Sequence, residues 1–167
     1  MKNNKGFTLI ELLATISLLA ILMLIAVPNI IGVVNRNKNS TYVEDAKKLV
    51  ALAEYKIRSD SQYKPTIGGG AKCFSMSFLG TGDFDTTAPN GGTYMYDKSY
   101  VKAIKNSEGT IEYSVVLVEK KENNEFYGVG VTQEVSSSDL YKDNISSLIQ
   151  STADESAITN CSGEKIG

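Results

Sequence analysis

The chain has 167 residues and a formal net charge of −2, with 17 Lys and Arg against 19 Asp and Glu. A chain of this length holds about one ordinary domain, and the slight acidic excess excludes the broad basic surface of nucleic-acid-binding proteins. The sequence contains no histidine, the commonest general base and metal ligand, and shows no nucleophile motif. We therefore expect neither enzymatic activity nor a cofactor.

The N-terminus is the most unusual part of the sequence. Residues 1–6 form a short basic leader, MKNNKG, and Phe7 opens a long apolar run in which Glu11 is the one charged residue before Arg36. A carboxylate at bilayer depth costs about 2.5–3.5 kcal/mol on insertion scales, so such a charge indicates a functional partner. The run offers no cation. Cleavage after Gly6 would provide one, because Phe7 would gain a free α-amino group one helical turn from Glu11.

This N-terminus resembles the class III signal sequence of type IV pilins and the related pseudopilins. The residues that carry the resemblance are the string KGFTLIELL, from Lys5 to Leu13, and Pro28 later in the same run. The resemblance covers about the first 35 residues. It implies that a prepilin peptidase cuts between Gly6 and Phe7, that Phe7 is then N-methylated, and that Glu11 pairs with the Phe7 amine of a neighbouring subunit in a filament. An ordinary secretory signal instead places its apolar region before the cleavage site.

Residues 7–34 are predicted to form a transmembrane helix, and the resemblance implies that the same helix forms the filament core. A hydrocarbon core of about 30 Å needs about 20 helical residues, which Leu12 to Gly32 supply. Lys2 and Lys5 place the N-terminus in the cytoplasm, so the head lies outside the cytoplasmic membrane before assembly and on the cell surface in the pilus. A single-pass anchor without a filament shares this topology and is the plain alternative.

Pro28 is expected to kink or loosen this helix, because proline lacks a backbone N–H group and crowds the preceding turn. In assembled pili of the family the helix is commonly melted around the matching proline, so the resemblance implies the same here. Residues 35–60 continue as an amphipathic helix, whose apolar positions alternate in steps of three and four: Val43, Ala46, Val50, Ala53 and Ile57. One helix over residues 7–60 would be roughly 80 Å long.

Residues 61–167 are predicted to form an extracellular β-rich head. Strands are predicted at residues 100–105, 110–120 and 125–133, with the Val-rich middle strand at the centre of an antiparallel sheet that covers the amphipathic helix. Within residues 138–150 we expect a short helix capped by Ser138, and the polar residues 160–167 are expected to wrap the sheet edge. The predicted fold class is α+β, a long N-terminal helix packed on a small antiparallel sheet, as in type IV pilins.

Cys73 and Cys161 are the only cysteines. An even number in an extracellular domain favours a disulfide, which would tie the tail to the start of the sheet and contribute about 4 kcal/mol through chain entropy. Two free thiols are the alternative. The better-known Gram-negative pilins usually enclose a shorter C-terminal loop, so their surface architecture does not carry over.

Asp83 and Asp85 are the strongest candidates for a metal site. Oxygen ligands suit Ca²⁺, but two acidic residues in a turn are usually only solvated, and the other ligands of an EF-hand are missing. We therefore predict no metal site.

The resemblance implies a structural subunit of a type IV pilus that serves surface adhesion or motility. Its expected partners are identical and related pilin subunits, the prepilin peptidase and N-methyltransferase, and the pilus assembly platform with its ATPase. A pseudopilin of a type II secretion or DNA-uptake system shares every N-terminal feature, and a membrane-anchored binding domain shares the topology. Both alternatives stay open.

Overall fold

The computed structural model describes residues 6–80, 82, 84 and 87–166, except for the side chain of Asn29. The first five residues of the expected leader, with Lys2 and Lys5, lie outside the described residues. So do Asp83 and Asp85, the pair considered above for a metal.

A single helix, α1 (Leu9–Ser59), accounts for 51 residues. It includes Pro28 as a helical residue, and the expected kink or melting there stays a prediction. The chain divides into two compact units between Asn37 and Lys38, so α1 contributes its first part to one unit and its second part to the other.

In the first unit, the apolar side chains of α1 have nothing to pack against. Every described side chain from Gly6 to Asn37 is exposed. Among the described residues, α1 is the one helix that is long and apolar enough to cross a membrane, and none of its most apolar stretch is buried inside the molecule. This stretch is therefore not the core helix of a soluble domain.

In the second unit, the amphipathic part of α1 packs on the sheet. All five apolar positions predicted to face a core are buried, and three further residues of α1 contribute to the same core, either fully or partly buried: Tyr42, Leu49 and Leu52. On other faces of the helix, ion pairs join Glu44 to Lys47 at 2.7 Å and Glu54 to Arg58 at 3.0 Å. The alternating pattern therefore predicted the buried face correctly.

The head contains eight described strands: β1 (Lys72–Ser75), β2 (Thr93–Tyr94), β3 (Tyr100–Lys105), β4 (Ile111–Lys120), β5 (Phe126–Val129), β6 (Val135–Ser136), β7 (Ile149–Thr152) and β8 (Glu164–Ile166). Their order is β7-β5-β4-β3-β1-β8, and β2 and β6 also pair with β4. A short helix, α2 (Met76–Leu79), follows β1 directly. The fold class is α+β and pilin-like, with the long helix packed on a small mixed sheet.

The predicted three-stranded meander is present, with β4 between β3 and β5. β5 is shorter than predicted. Gly128 approaches β4 so closely that an added Cβ would lie 2.0 Å from the carbonyl oxygen of Leu117, and Gly130 has a φ of +69°. The left-handed conformation at Gly130 turns the chain out of the ladder after Val129.

Two expectations for the head need correction. The sheet is not wholly antiparallel, because β8 pairs in parallel with β1; no short turn joins these strands, so hairpin geometry does not fix their direction. Ser138 also does not cap a helix. A 3₁₀ helix forms at Ser137–Tyr141 with Ser136 as its N-cap, and a second 3₁₀ helix forms at Ile145–Leu148. β7 begins at Ile149 and pairs with β5, which ends the helical stretch before residue 150.

The C-terminal tail lies at the sheet edge, as expected, because β8 is the outermost strand on its side. Cys73 of β1 and Cys161 form a disulfide across a sequence separation of 88 residues. Of the two alternatives for the cysteines, the structure has the bonded one. The bond fixes the tail to β1 shortly before β8 begins.

Candidate functional site

Gly6, Phe7 and Thr8 precede α1 and belong to no helix or strand. The side chain of Phe7 is 86% exposed, and Gly6 is also exposed. The peptide bond between Gly6 and Phe7 therefore lies in an exposed, irregular segment next to the first helical turn. An enzyme can reach such a segment without unfolding the helix.

Nothing in the described residues gives a structural reason for glycine at position 6. An added Cβ would meet no atom within 4 Å, and the residue is not among the glycines with positive φ. Neither close packing nor backbone conformation requires glycine there, in contrast to Gly128. A residue that another protein recognises needs no role in the fold, and Gly6 fits that description.

Glu11 and Thr8 form a capping box at the start of α1. The carboxylate oxygen Oε2 of Glu11 accepts hydrogen bonds from the backbone N–H of Thr8 at 2.9 Å and from its hydroxyl at 2.8 Å. In return, the backbone N–H of Glu11 approaches Thr8 Oγ1 at 3.4 Å. The box satisfies N–H groups that the first helical turn leaves unpaired, and the negative charge lies at the positive end of the helix dipole.

Thr8 is the functional residue that the sequence reasoning missed. Its signal was present, because Thr8-Leu9-Ile10-Glu11 matches the capping-box pattern of Ser or Thr followed three residues later by Glu. The structure also corrects the expected position of Phe7. The helix begins at Leu9, so Phe7 is not one helical turn before Glu11, and the partner of Glu11 within the chain is Thr8.

The apolar surface after Glu11 is continuous. Its large side chains are about half exposed or more, among them Leu12 at 60%, Leu19 at 53% and Met23 at 61%. The two hydroxyl groups on this stretch bond to carbonyl oxygens of the same helix, Thr15 to Leu12 and Ser17 to Leu13, each at 2.8 Å. Glu11 is therefore the one ionisable side chain on an apolar helical surface.

The remaining predicted site residues lie elsewhere along the chain. Pro28 lines a shallow apolar groove on the same helix, together with Ala20, Met23, Leu24 and Val27. The Cys73–Cys161 disulfide belongs to the head, next to a cavity of about 70 Å³. Over the described part of the chain, no cluster of three or more His, Cys, Asp or Glu side chains is placed to hold a metal ion.

The head also contains a partly buried ionic cluster. Glu134 accepts a hydrogen bond from the Tyr100 hydroxyl at 2.9 Å and pairs with Lys102 at 2.6 Å. Burial and the neighbouring Glu134 carboxylate both raise the pKa of Tyr100 well above its ordinary value. The cluster joins Glu134, which lies just before β6, to Tyr100 and Lys102 of β3.

The N-terminus matches a known protein family. Residues 1–27 match the prokaryotic N-terminal methylation motif, so the match includes Gly6, Phe7 and Glu11 and ends just before Pro28. No curated protein matches the chain, and no solved structure does.

Proposed function

The N-terminus of this chain is that of a type IV pilin-like prepilin with a class III signal, and from that premise we propose that the chain is a structural subunit of a type IV pilus. Prepilin peptidase removes residues 1–6 by cutting between Gly6 and Phe7, and Phe7 is then N-methylated. Residues 7–60 form the assembly segment, which consists of Phe7, Thr8, the helix α1 (Leu9–Ser59) and Asp60, with residues 7–34 in the membrane or filament core. Residues 61–167 form the displayed head.

The exposure of the cleavage point supports this processing. A peptidase must bind the chain on both sides of the bond in an extended conformation, and the segment from Gly6 to Thr8 belongs to no helix or strand. Glycine has no role in the fold at position 6. Recognition by the peptidase accounts for it.

The unpartnered apolar surface of α1 supports assembly through the helix. In the cytoplasmic membrane, lipid covers this surface, with the N-terminus inside and the head outside. Transmembrane helices associate when packing between helices replaces their lipid contacts. The subunit leaves the bilayer when the helices of identical and related subunits cover the same surface, so membrane and filament compete for it.

Glu11 gives this association a defined partner. Both hydrogen bonds from Thr8 reach the same oxygen, Oε2, so Oε1 can accept a bond from the new Phe7 ammonium group of a neighbouring subunit. Inside an apolar filament core, water does not screen this pair of charges. The capping box orients the carboxylate before the neighbour arrives.

The observation that carries the proposal is the methylation motif at the start of a helix whose most apolar stretch is wholly exposed. Assembly also requires a platform and an ATPase, which are the further partners we propose. We propose surface adhesion or motility as the role of the fibres, to be tested by the loss of either in a deletion strain.

Electron microscopy of material sheared from the cell surface tests the proposal. Antibodies against the head should label long fibres that are absent from a strain lacking the chain. Processed chains that stay in the membrane and form only short fibres would instead favour a pseudopilin. Chains that remain intact, with no fibres of any length, would contradict assembly altogether.

A further inference from the structure

Glu119 is a carboxyl group buried inside the head. It lies on β4, and none of its surface is exposed. Its Oε1 atom accepts a hydrogen bond from the backbone N–H of Gly92 at 2.6 Å, whereas its Oε2 atom is buried without a hydrogen-bond partner. An ionised carboxylate in this position would lose its hydration with only partial replacement, which is costly.

Aromatic rings surround this carboxyl on the side of the sheet that faces α1. Glu119 lies opposite Tyr94 of β2 and opposite Tyr127 of β5 in the strand register. Tyr42 of α1 packs against both rings, with centroid distances of 6.4 Å to Tyr94 and 5.5 Å to Tyr127. The hydroxyl of Tyr42 is also buried without a partner. Two unsatisfied polar atoms therefore lie around the same pair of rings.

The glycine that bonds to Glu119 belongs to a turn held tightly against β4. The backbone N–H of Ala88 donates to the carbonyl of Gly92 at 2.9 Å. A Cβ added at Gly92 would lie 2.3 Å from the carbonyl oxygen of Lys120 and 2.6 Å from Glu119 Oε1. Glu119 thus lies where the turn at residues 88–92, the central strand and the first helical turns of the head meet.

The charged groups near Glu119 come from α1 and from the end of β4. Lys38 of α1 and Lys121, just after β4, favour the ionised carboxylate. The carboxylate of Asp45 of α1 accepts a hydrogen bond from the Tyr94 hydroxyl at 2.5 Å. Residues 87–92 contain no ionisable side chain. Burial is the largest influence and raises the pKa of Glu119 above 4.5, against the lowering effects of the backbone N–H groups of Gly92 and Asn90 and of the two lysines.

We propose that Glu119 releases its proton at a higher pH in the folded head than in the unfolded chain, and that losing this proton as the pH rises loosens the junction of the turn at 88–92, β4 and the first helical turns of the head. The head is then a pH-dependent clamp on this part of α1. A group whose pKa is raised by folding contributes stability that is present below its unfolded pKa, and this stability is lost as the pH rises through the folded pKa. The inference concerns the head alone and goes beyond filament assembly.

Denaturant unfolding of the full chain in detergent micelles tests this clamp between about pH 5 and about pH 8, with circular dichroism as the signal. Glu119→Gln keeps the shape of the neutral acid but cannot ionise. The wild-type unfolding equilibrium constant should rise with pH relative to that of Glu119→Gln, by up to about tenfold per pH unit, since one proton is involved. Glu122→Gln is the matched control, because Glu122 is exposed in the next connection; it should follow the wild type. Identical pH profiles for wild type and Glu119→Gln would overturn the proposal.

A direct measurement on the wild type keeps the test independent of whether Glu119→Gln folds. The side-chain carboxyl carbon of Glu119, followed by NMR, should titrate above the ordinary value of 4.5. Amide hydrogen exchange at residues 88–94 and 38–46 should accelerate through the same pH range, after correction for the intrinsic pH dependence of exchange. A carboxyl that titrates at or below its ordinary value overturns the proposal, as does exchange protection that stays constant.

Discussion

Glu11 caps the helix, and in the proposed filament the same carboxylate also pairs with a neighbouring subunit. As the third residue of α1 it caps the helix through Thr8, and as the one ionisable side chain of the apolar stretch it is the group that a neighbouring cation would seek. The Thr-x-x-Glu pattern gives the first role and the charge pattern gives the second. Each could be predicted from residue types alone, because both depend on local sequence.

Glu11→Ala should reduce incorporation of the chain into fibres at least tenfold, because the Phe7 amine of the neighbour then enters an apolar core without a counter-charge. The measurement is the amount of the chain in sheared fibres relative to the membrane fraction. Ser17→Ala is the control, since it changes a polar residue of the same stretch whose hydroxyl bonds only to its own helix. Equal incorporation of Glu11→Ala and the wild type would rule out the charge pair.

Thr8→Ala should loosen the first turn of α1, because an N-cap threonine contributes about 1 kcal/mol to a helix end. Hydrogen exchange at residues 9–12 of the full chain in micelles should accelerate several-fold. Thr8→Ser keeps the hydroxyl and should retain protection. If all three chains exchange at the same rate, the capping box does not stabilise the helix.

For the helix and strands, sequence patterns gave correct predictions where the stabilising contacts join residues that are close in the sequence. The three-and-four spacing predicted the buried face of α1, and alternation with hairpin-length connections predicted β3 to β5. The parallel pairing of β8 with β1 joins distant parts of the chain, and no pattern in residues 160–167 indicates a strand direction. Glu119 was missed for a related reason, since its burial depends on Tyr42 and on Gly92, neither of which is near it in sequence.

Replacing both cysteines, as Cys73→Ser with Cys161→Ser, should lower the free energy of unfolding by about 2–5 kcal/mol, because the unfolded chain regains the entropy of a long open loop. Urea unfolding of the full chain in micelles measures the loss. β8 forms only a short edge pairing with β1, so exchange at residues 164–166 should rise first. Wild type treated with a reductant should behave like the double variant, and an unchanged urea midpoint in both would contradict this role.

Gly128→Ala should destabilise the head by more than about 1 kcal/mol, because alanine is strained at a φ of +147° and its Cβ would meet the backbone of Leu117. Gly82→Ala is the control, since a Cβ there meets nothing within 4 Å and the φ is not in the left-handed range. Both are compared by urea unfolding midpoints. A loss of stability no greater than that of Gly82→Ala would show that β5 does not need its glycine.

For the whole molecule, the two units have different tasks. The first is an apolar helix with a single carboxylate near its start, and it has no core of its own among the described residues. The second buries the amphipathic part of α1 under a mixed sheet, and a disulfide joins β1 of this sheet to the C-terminal tail. Only the first carries a recognisable family motif, so assembly could be predicted from the sequence, whereas the surface that the head displays could not.

Mass spectrometry of the N-terminal peptide, taken from fibres sheared from the cell surface, tests the central claim most directly. The account predicts a mature chain that begins at Phe7 with a methylated α-amino group, and a membrane fraction that contains both this form and the precursor. Fibres that lack the chain, or surface chains that all begin at Met1, would contradict it.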